Sequence, residues 1–215
     1  MNNKLTNALL IGLVLLSIQG FSQAKHYTID PSDKNVWVAF NREAKSAGTD
    51  KVELNAADAD GLLVLQTVNF SSGVIEFDVK GEDKMGASFV GLAFHVQDNK
   101  QFEAVYFRPF NFFNVDTVRR WRAVQYIFAP DYPWEKLREL FPGKYENKVL
   151  NAPNPNEWFH IKLIIKPDLI QAFVNKNAEP SLQVKPISTL TNGKLAFWVG
   201  NGSKGSFSNL VVTAK

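Results

Sequence analysis

Apolar residues recur at every second position over much of this chain. In GVIEFDVK (73–80) they are Ile75, Phe77 and Val79. Further on they are Leu92, Phe94 and Val96, and after Asp98-Asn99 the same beat resumes at Val105 and Phe107. A period of two is the spacing of a strand with one face buried. The pattern predicts strands over 36–40, 51–55, 61–66, 73–80, 88–97, 101–110, 122–129, 158–166, 169–175, 181–185, 193–200 and 206–214. Turn-forming pairs separate them, among them Asp60-Gly61, Ser72-Gly73, Pro167-Asp168 and Asn192-Gly193. Many strands joined by short turns imply an all-β fold of two antiparallel sheets packed face to face. No internal repeat or composition shift divides residues 25–215, so one domain is expected there.

One segment departs from the pattern. Between Pro130 and Pro155, Trp134, Leu137, Leu140 and Phe141 fall at helical spacing, with Pro133 ahead of them and Pro142-Gly143 behind. This reads as an insertion with one short helix. It either plugs one end of the sandwich or carries function, and the spacing does not decide between the two.

Composition changes the picture at the start of the chain. Lys4 followed by ALLIGLVLLSI and then Ser22-Gln23-Ala24 matches a secretory signal peptide over residues 1–24. The chain has no Cys, which excludes disulfides and a lipid-modified N-terminal Cys. A periplasmic or secreted protein is therefore expected, with no membrane attachment after the leader is removed. The net charge of +3 is small and scattered, so a nucleic-acid partner is not expected.

If the apolar set of each strand faces the core, the opposite set faces out. That second set comprises Glu76 and Asp78, then Gly91, Ala93 and His95, then Ala104, Tyr106 and Arg108, then Ala123 and Gln125, then Ala196 and Trp198. Small residues would keep such a floor low, while a Tyr and a Trp offer flat apolar surfaces for sugar rings. The expected ligand residues are Tyr106, Arg108, Asn111, Gln125 and Trp198, and the expected partner is an oligosaccharide or polysaccharide. Arg108, Arg119, Arg120 and Arg122 could mark an anionic end of the groove, or could pair with Asp116, Glu135 and Glu139. The small residues could equally accommodate the 130–155 insertion folded back over the sheet.

The stretches GVIEFDVKG, GLAFHVQDNKQFEAVYFRPFN and GKLAFWVGNGSKGSFSNLVV, in that order, resemble the concanavalin A-like lectin/glucanase superfamily. Within it the chain looks similar to laminarin-G-like and 3-keto-disaccharide hydrolase-like domains of exported bacterial proteins. The resemblance implies a jelly roll of two bent sheets with a carbohydrate groove on the concave one. It also admits glycoside hydrolysis. The family 16 hydrolases of this superfamily carry Glu-x-Asp-x-(x)-Glu on one strand, which puts nucleophile and acid/base about 5–5.5 Å apart. Here Glu76 and Asp78 match, but Lys80 takes the next place on that face and Glu82 follows Gly81. If the protein is an enzyme, the catalytic candidates are Glu76, Asp78 and His95, with Glu103 as a further general base.

Other chemistries find little support. There is no H-E-x-x-H and no G-x-S-x-G, and His26, His95 and His160 lie far apart. No cofactor is expected. Calcium is the one metal that the acidic turn AADADG (56–61) admits, through Asp58 and Asp60. Saccharide binding leads, glycoside hydrolysis follows, and a structural or protein-interaction domain is the third class.

Overall fold

The computed structural model describes residues 24–215, so the expected leader, all but its last residue Ala24, lies outside the described residues. Two sheets carry the fold. Sheet A runs β13(Leu182–Val184), β12(Leu169–Val174), β11(Phe159–Lys166), β6(Gly73–Lys80), β15(Gly205–Ala214), β4(Lys51–Leu54) and β3(Ala44–Ser46), with β1(Lys25–Ile29) also paired to β15. Sheet B runs β10(Glu146–Asn147), β9(Val124–Ala129), β8(Phe102–Phe107), β7(Val90–Val96), β14(Gly193–Val199), β5(Gly61–Phe70) and β2(Trp37–Phe40). All of these pairings are antiparallel. The architecture is the two-sheet jelly-roll sandwich expected from the alternation.

The apolar sets named above meet between the sheets. Ile75, Phe77 and Val79 of sheet A face Leu92, Phe94, Val105, Phe107 and Phe197 of sheet B, and all are fully buried. Phe197 joins the layers, stacking on Trp37 of its own sheet (5.1 Å) and on Phe207 of sheet A (4.4 Å). Burial of such rings at roughly 25 cal/mol per Å² is the main favourable contribution to folding.

Four elements escaped the pattern. β1, β3 and β10 are short or polar, and neighbouring strands rather than alternation define them. The fourth is the one-turn helix α1(Thr117–Arg120), which Asp116 caps by accepting from the Val118 (2.8 Å) and Arg119 (3.4 Å) backbone N–H groups. The run expected as a strand to residue 110 ends at Phe107 and turns through a short 3₁₀ helix, Pro109–Asn111. The expected insertion helix is α2(Trp134–Leu140).

Candidate functional site

The outer face of sheet B is built in rows. One row crosses five strands as Glu146, Gln125, Tyr106, Gly91 and Trp198. Gly91 stands between the two large aromatic residues, and their rings close over it with centroids 4.6 Å apart. A Cβ on Gly91 would lie 2.5 Å from Tyr106 Cα and 2.7 Å from its Cβ. The glycine therefore makes room for the chain's own rings, not for a ligand. The next row, Ala104, Ala93 and Ala196, is likewise buried. This corrects the expectation of an empty trough floored by small residues.

The 130–155 segment covers much of this face. Leu137 of α2, Tyr145 and Val149 are buried in the same hydrophobic cluster. A carboxylate holds the cover down: Glu146 accepts from Arg138 Nε (3.0 Å) and Nη2 (2.6 Å), and Arg122 Nε lies 3.7 Å away. Gln125 is sealed beneath, donating to the carbonyls of Tyr126 (2.9 Å) and Tyr145 (3.0 Å).

The cover leaves a cleft along its edge, in two halves that share Phe89 and Trp134. The first half, about 310 Å³, is lined by Tyr106, Trp198, Ile127, Asp60, Glu135 and Asn201. The second, about 420 Å³, is lined by Arg108, Arg119, Arg122, Arg138, Asn111 and Asp116. Trp134 stands between them and is 39% exposed, with the Arg138 guanidinium over its ring at 4.5 Å. Tyr106, Trp198, Arg108 and Asn111 thus reach the cleft, and Gln125 does not. Sequence reasoning missed Phe89, Trp134 and Arg138 as cleft residues. The available signal was a Trp opening a helix otherwise rich in charge.

Two buried polar atoms at this cleft have no hydrogen-bond partner among the described residues: Trp198 Nε1 and Asn111 Oδ1. The Asp60 carboxyl lies near enough to the Trp198 indole to feel it, but makes no hydrogen bond of ordinary geometry to it. Although the residue as a whole is exposed, desolvation raises the Asp60 carboxyl, and Trp198, Arg42 and Asn201 oppose the rise. Desolvation also pushes the Tyr106 phenol up to about 12.

Arg108 is the buried charge of the site. Nη1 donates to the Arg122 carbonyl (2.9 Å) and Nη2 to Tyr106 Oη (2.7 Å), with Gln125 Oε1 at 3.5 Å. Its guanidinium faces the rings of Tyr106 (4.8 Å), Phe89 (5.7 Å) and Trp134 (6.0 Å). Burial lowers its pKa from the ordinary value, and Arg138 and Arg122 lower it further against Tyr106 and Glu146. Cation–π contacts offset about 0.5–2 kcal/mol each, whereas taking a charge out of water costs several kcal/mol.

The catalytic candidates do not meet here: Glu76 and Asp78 share one site around His160, and His95 and Glu103 share another. Glu76 and Asp78 belong to sheet A and face the opposite side of the sandwich from Tyr106 and Trp198. Alternation distinguishes in from out, but a sandwich has two outsides. There His160 Nδ1 lies 2.8 Å from Asp78 Oδ1, its Nε2 lies 3.6 Å from Glu76 Oε1, and Asn209 donates to Asp78 Oδ2 (2.6 Å). Glu76 and His160, with Lys162, Phe173 and Asn175, line an open groove of about 860 Å³.

His95 is not on the outer floor. A bulge sets Phe94 and His95 against Leu195 alone, with His95 at φ 51°. The strand bends there and brings the ring to Glu103 Oε1 (2.8 Å) and the Ser71 carbonyl (2.8 Å), while Tyr126 donates to Glu103 Oε2 (2.5 Å). The Ser71 carbonyl only accepts, so Nε2 carries a hydrogen. Glu103 shares the inward face of β8 with Val105 and Phe107, so this polar group sits at one end of the core.

In the acidic turn, the carboxylates of Asp58 and Asp60 lie in the field of Arg42, and Asn41 Nδ2 donates to both of their backbone carbonyls. Among the described residues, no group of three His, Cys, Asp or Glu is placed to hold a metal.

No family model and no curated protein matches the chain. Solved structures share its fold. The carbohydrate binding module CBM66 from Bacillus subtilis superposes with TM-score 0.60 at 14% identity, covering 81% of this chain and 93% of the module. The Bacillus licheniformis β-glucanase superposes with TM-score 0.55 at 12% identity, covering 91% and 99%. The exoplasmic/lumenal domain of VIP36, in its Ca2+/Man3GlcNAc-bound form, gives TM-score 0.58 at 9% identity, covering 89% and 90%. The chain thus shares its fold with these three structures; at these identities the likeness reaches no further.

Proposed function

We propose that this is an exported domain that binds a saccharide in the cleft on the outer face of sheet B. The observation that carries the reading is the pairing of aromatic faces with unspent polar atoms. Trp134, Phe89, Tyr106 and Trp198 line the cleft, while Trp198 Nε1 and Asn111 Oδ1 lie beside it without partners. Sugars present apolar ring faces and hydroxyl edges together, and such a surface complements both. Fold neighbours that include a carbohydrate binding module and a domain in its Man3GlcNAc-bound form support the class of ligand.

The test is calorimetric titration against a panel of oligosaccharides and polysaccharides. Trp134→Ala should weaken binding by about tenfold or more with little loss of thermal stability, because the ring is partly exposed. Glu76→Gln and Asp78→Asn, on the other surface, should leave affinity unchanged. Failure of every glycan to bind would overturn the reading, and capture of a protein at the same cleft would replace it.

A second reading is favoured by the Asp78–His160–Glu76 arrangement. Asp78 orients His160, whose second nitrogen faces a carboxylate in an open groove, as a general acid/base pair would. Release of reducing sugar or 3-keto-sugar by the protein, abolished by Glu76→Gln, would establish hydrolysis there.

A further inference from the structure

The charges of the second half of the cleft do not balance. Four guanidinium groups line it: Arg108, Arg119, Arg122 and Arg138. Two carboxylates answer them. Asp116 stands 3.6 Å from Arg119, and Glu146 serves both Arg138 and, more distantly, Arg122. Arg108 is the most buried of the four, at 5% exposure, and among the described residues no carboxylate touches it, Glu146 acting on it only from a distance. Its partners are a phenol, a carbonyl, an amide oxygen and aromatic faces, which are neutral. Buried charges are as a rule paired, because burial removes the hydration that would otherwise stabilise them. A guanidinium on a cavity wall that also holds Arg122 and Arg138 is a site that lacks an anion. Asn111 Oδ1, buried in the same wall, can accept from a hydroxyl but not from a carboxylate or sulfate. The wall therefore offers positive charge for an acidic group beside an acceptor for a neutral one.

We infer that this half of the cleft takes the carboxylate or sulfate of an acidic sugar residue, with Arg108 as its buried counter-charge and Arg122 at its mouth. The inference rests on the saccharide reading for the nature of the carrier, and on the arginines alone for the anion. Trp134, shared by both halves, would then pack the ring whose acidic substituent enters the arginine side. A ligand of this kind relieves the crowding of like charges that an uncharged sugar would leave in place.

The experiment compares acidic polymers with their neutral counterparts: polygalacturonate against its carboxyl-reduced form, and dextran sulfate against dextran. Inorganic sulfate is the probe without a sugar. An acidic polymer should bind at least about tenfold more tightly than its counterpart, with affinity falling as salt is raised. Whichever polymer does so identifies the acidic group. Arg108→Lys, which keeps the charge and loses the fork, and Arg122→Gln, at a partly exposed position that threatens the fold less, should each remove the preference. If neutral and acidic polymers bind equally and Trp134→Ala abolishes both, the anion inference is overturned and the saccharide reading stands. If no polymer binds but inorganic sulfate raises the melting temperature of the protein and not of Arg122→Gln, the saccharide reading falls and the anion cavity stands. If neither polymers nor sulfate act, both are overturned.

Discussion

Tyr106 shows how one side chain can serve both the core and the cleft. Its ring packs on Trp198, its hydroxyl accepts from Arg108, and burial holds its proton on well into the alkaline range. The sign of the consequence is fixed. The phenol of the unfolded chain ionises near 10, while the folded one holds its proton until about 12. Between those values the unfolded state binds fewer protons, so stability is full below about 10 and falls as pH rises through the window. Tyr106→Phe should flatten part of this alkaline limb in urea midpoints measured along a pH series. At neutral pH it should cost about 1.5–3 kcal/mol, from the hydrogen bond that the buried Arg108 guanidinium loses. Tyr126, raised by burial and by Glu103, would supply the limb that persists in the variant. An unchanged limb would mean that the Tyr106 hydroxyl is solvated.

At the scale of elements, one carboxylate clamps the cover over sheet B, in addition to its buried Leu137, Tyr145 and Val149. Glu146, on the two-residue strand β10, grips Arg138 on α2. Glu146→Gln should destabilise the fold by about 1–3 kcal/mol, because it leaves a partly buried guanidinium without its charged acceptor. Amide exchange should speed at Leu137 and Phe141, whose N–H groups close the α2 turns, and not in β11. Equal acceleration everywhere would mean that the cover does not open by itself. The alternation of Leu92, Phe94, Val105 and Phe107 made the sandwich legible, because burial on one face leaves a period of two. It could not show that Glu76 and Tyr106 lie on opposite surfaces, since both are simply outward. Nor could it show the bulge at His95, where one extra residue carries a side chain round to Glu103. β10 was beyond reach because two residues make no period. Tyr106, Arg108 and Trp198 were legible as cleft residues from their strands, whereas Trp134 needed the fold-back of α2 over the sheet.

Across the whole molecule, the two sheets are joined by rings instead of covalent links. Phe197, fully buried, touches Trp37 in its own layer and Phe77 and Phe207 in the other. Phe197→Ala should cost about 3–5 kcal/mol, the transfer term plus the cavity left behind, and calorimetry should register it as a single cooperative transition at lower temperature. A split transition would mean that the layers melt separately. The path of the chain has a practical corollary. Lys25 lies opposite Ala214 in sheet A, and the Lys215 backbone N–H donates to Ser72, so both ends of the described chain leave from the sheet that does not carry the cleft. A biotin placed at Lys215 would moor the domain on a sensor chip with its arginines presented to the flowing analyte, whereas coupling through exposed Lys136, two residues from Trp134, would gag it.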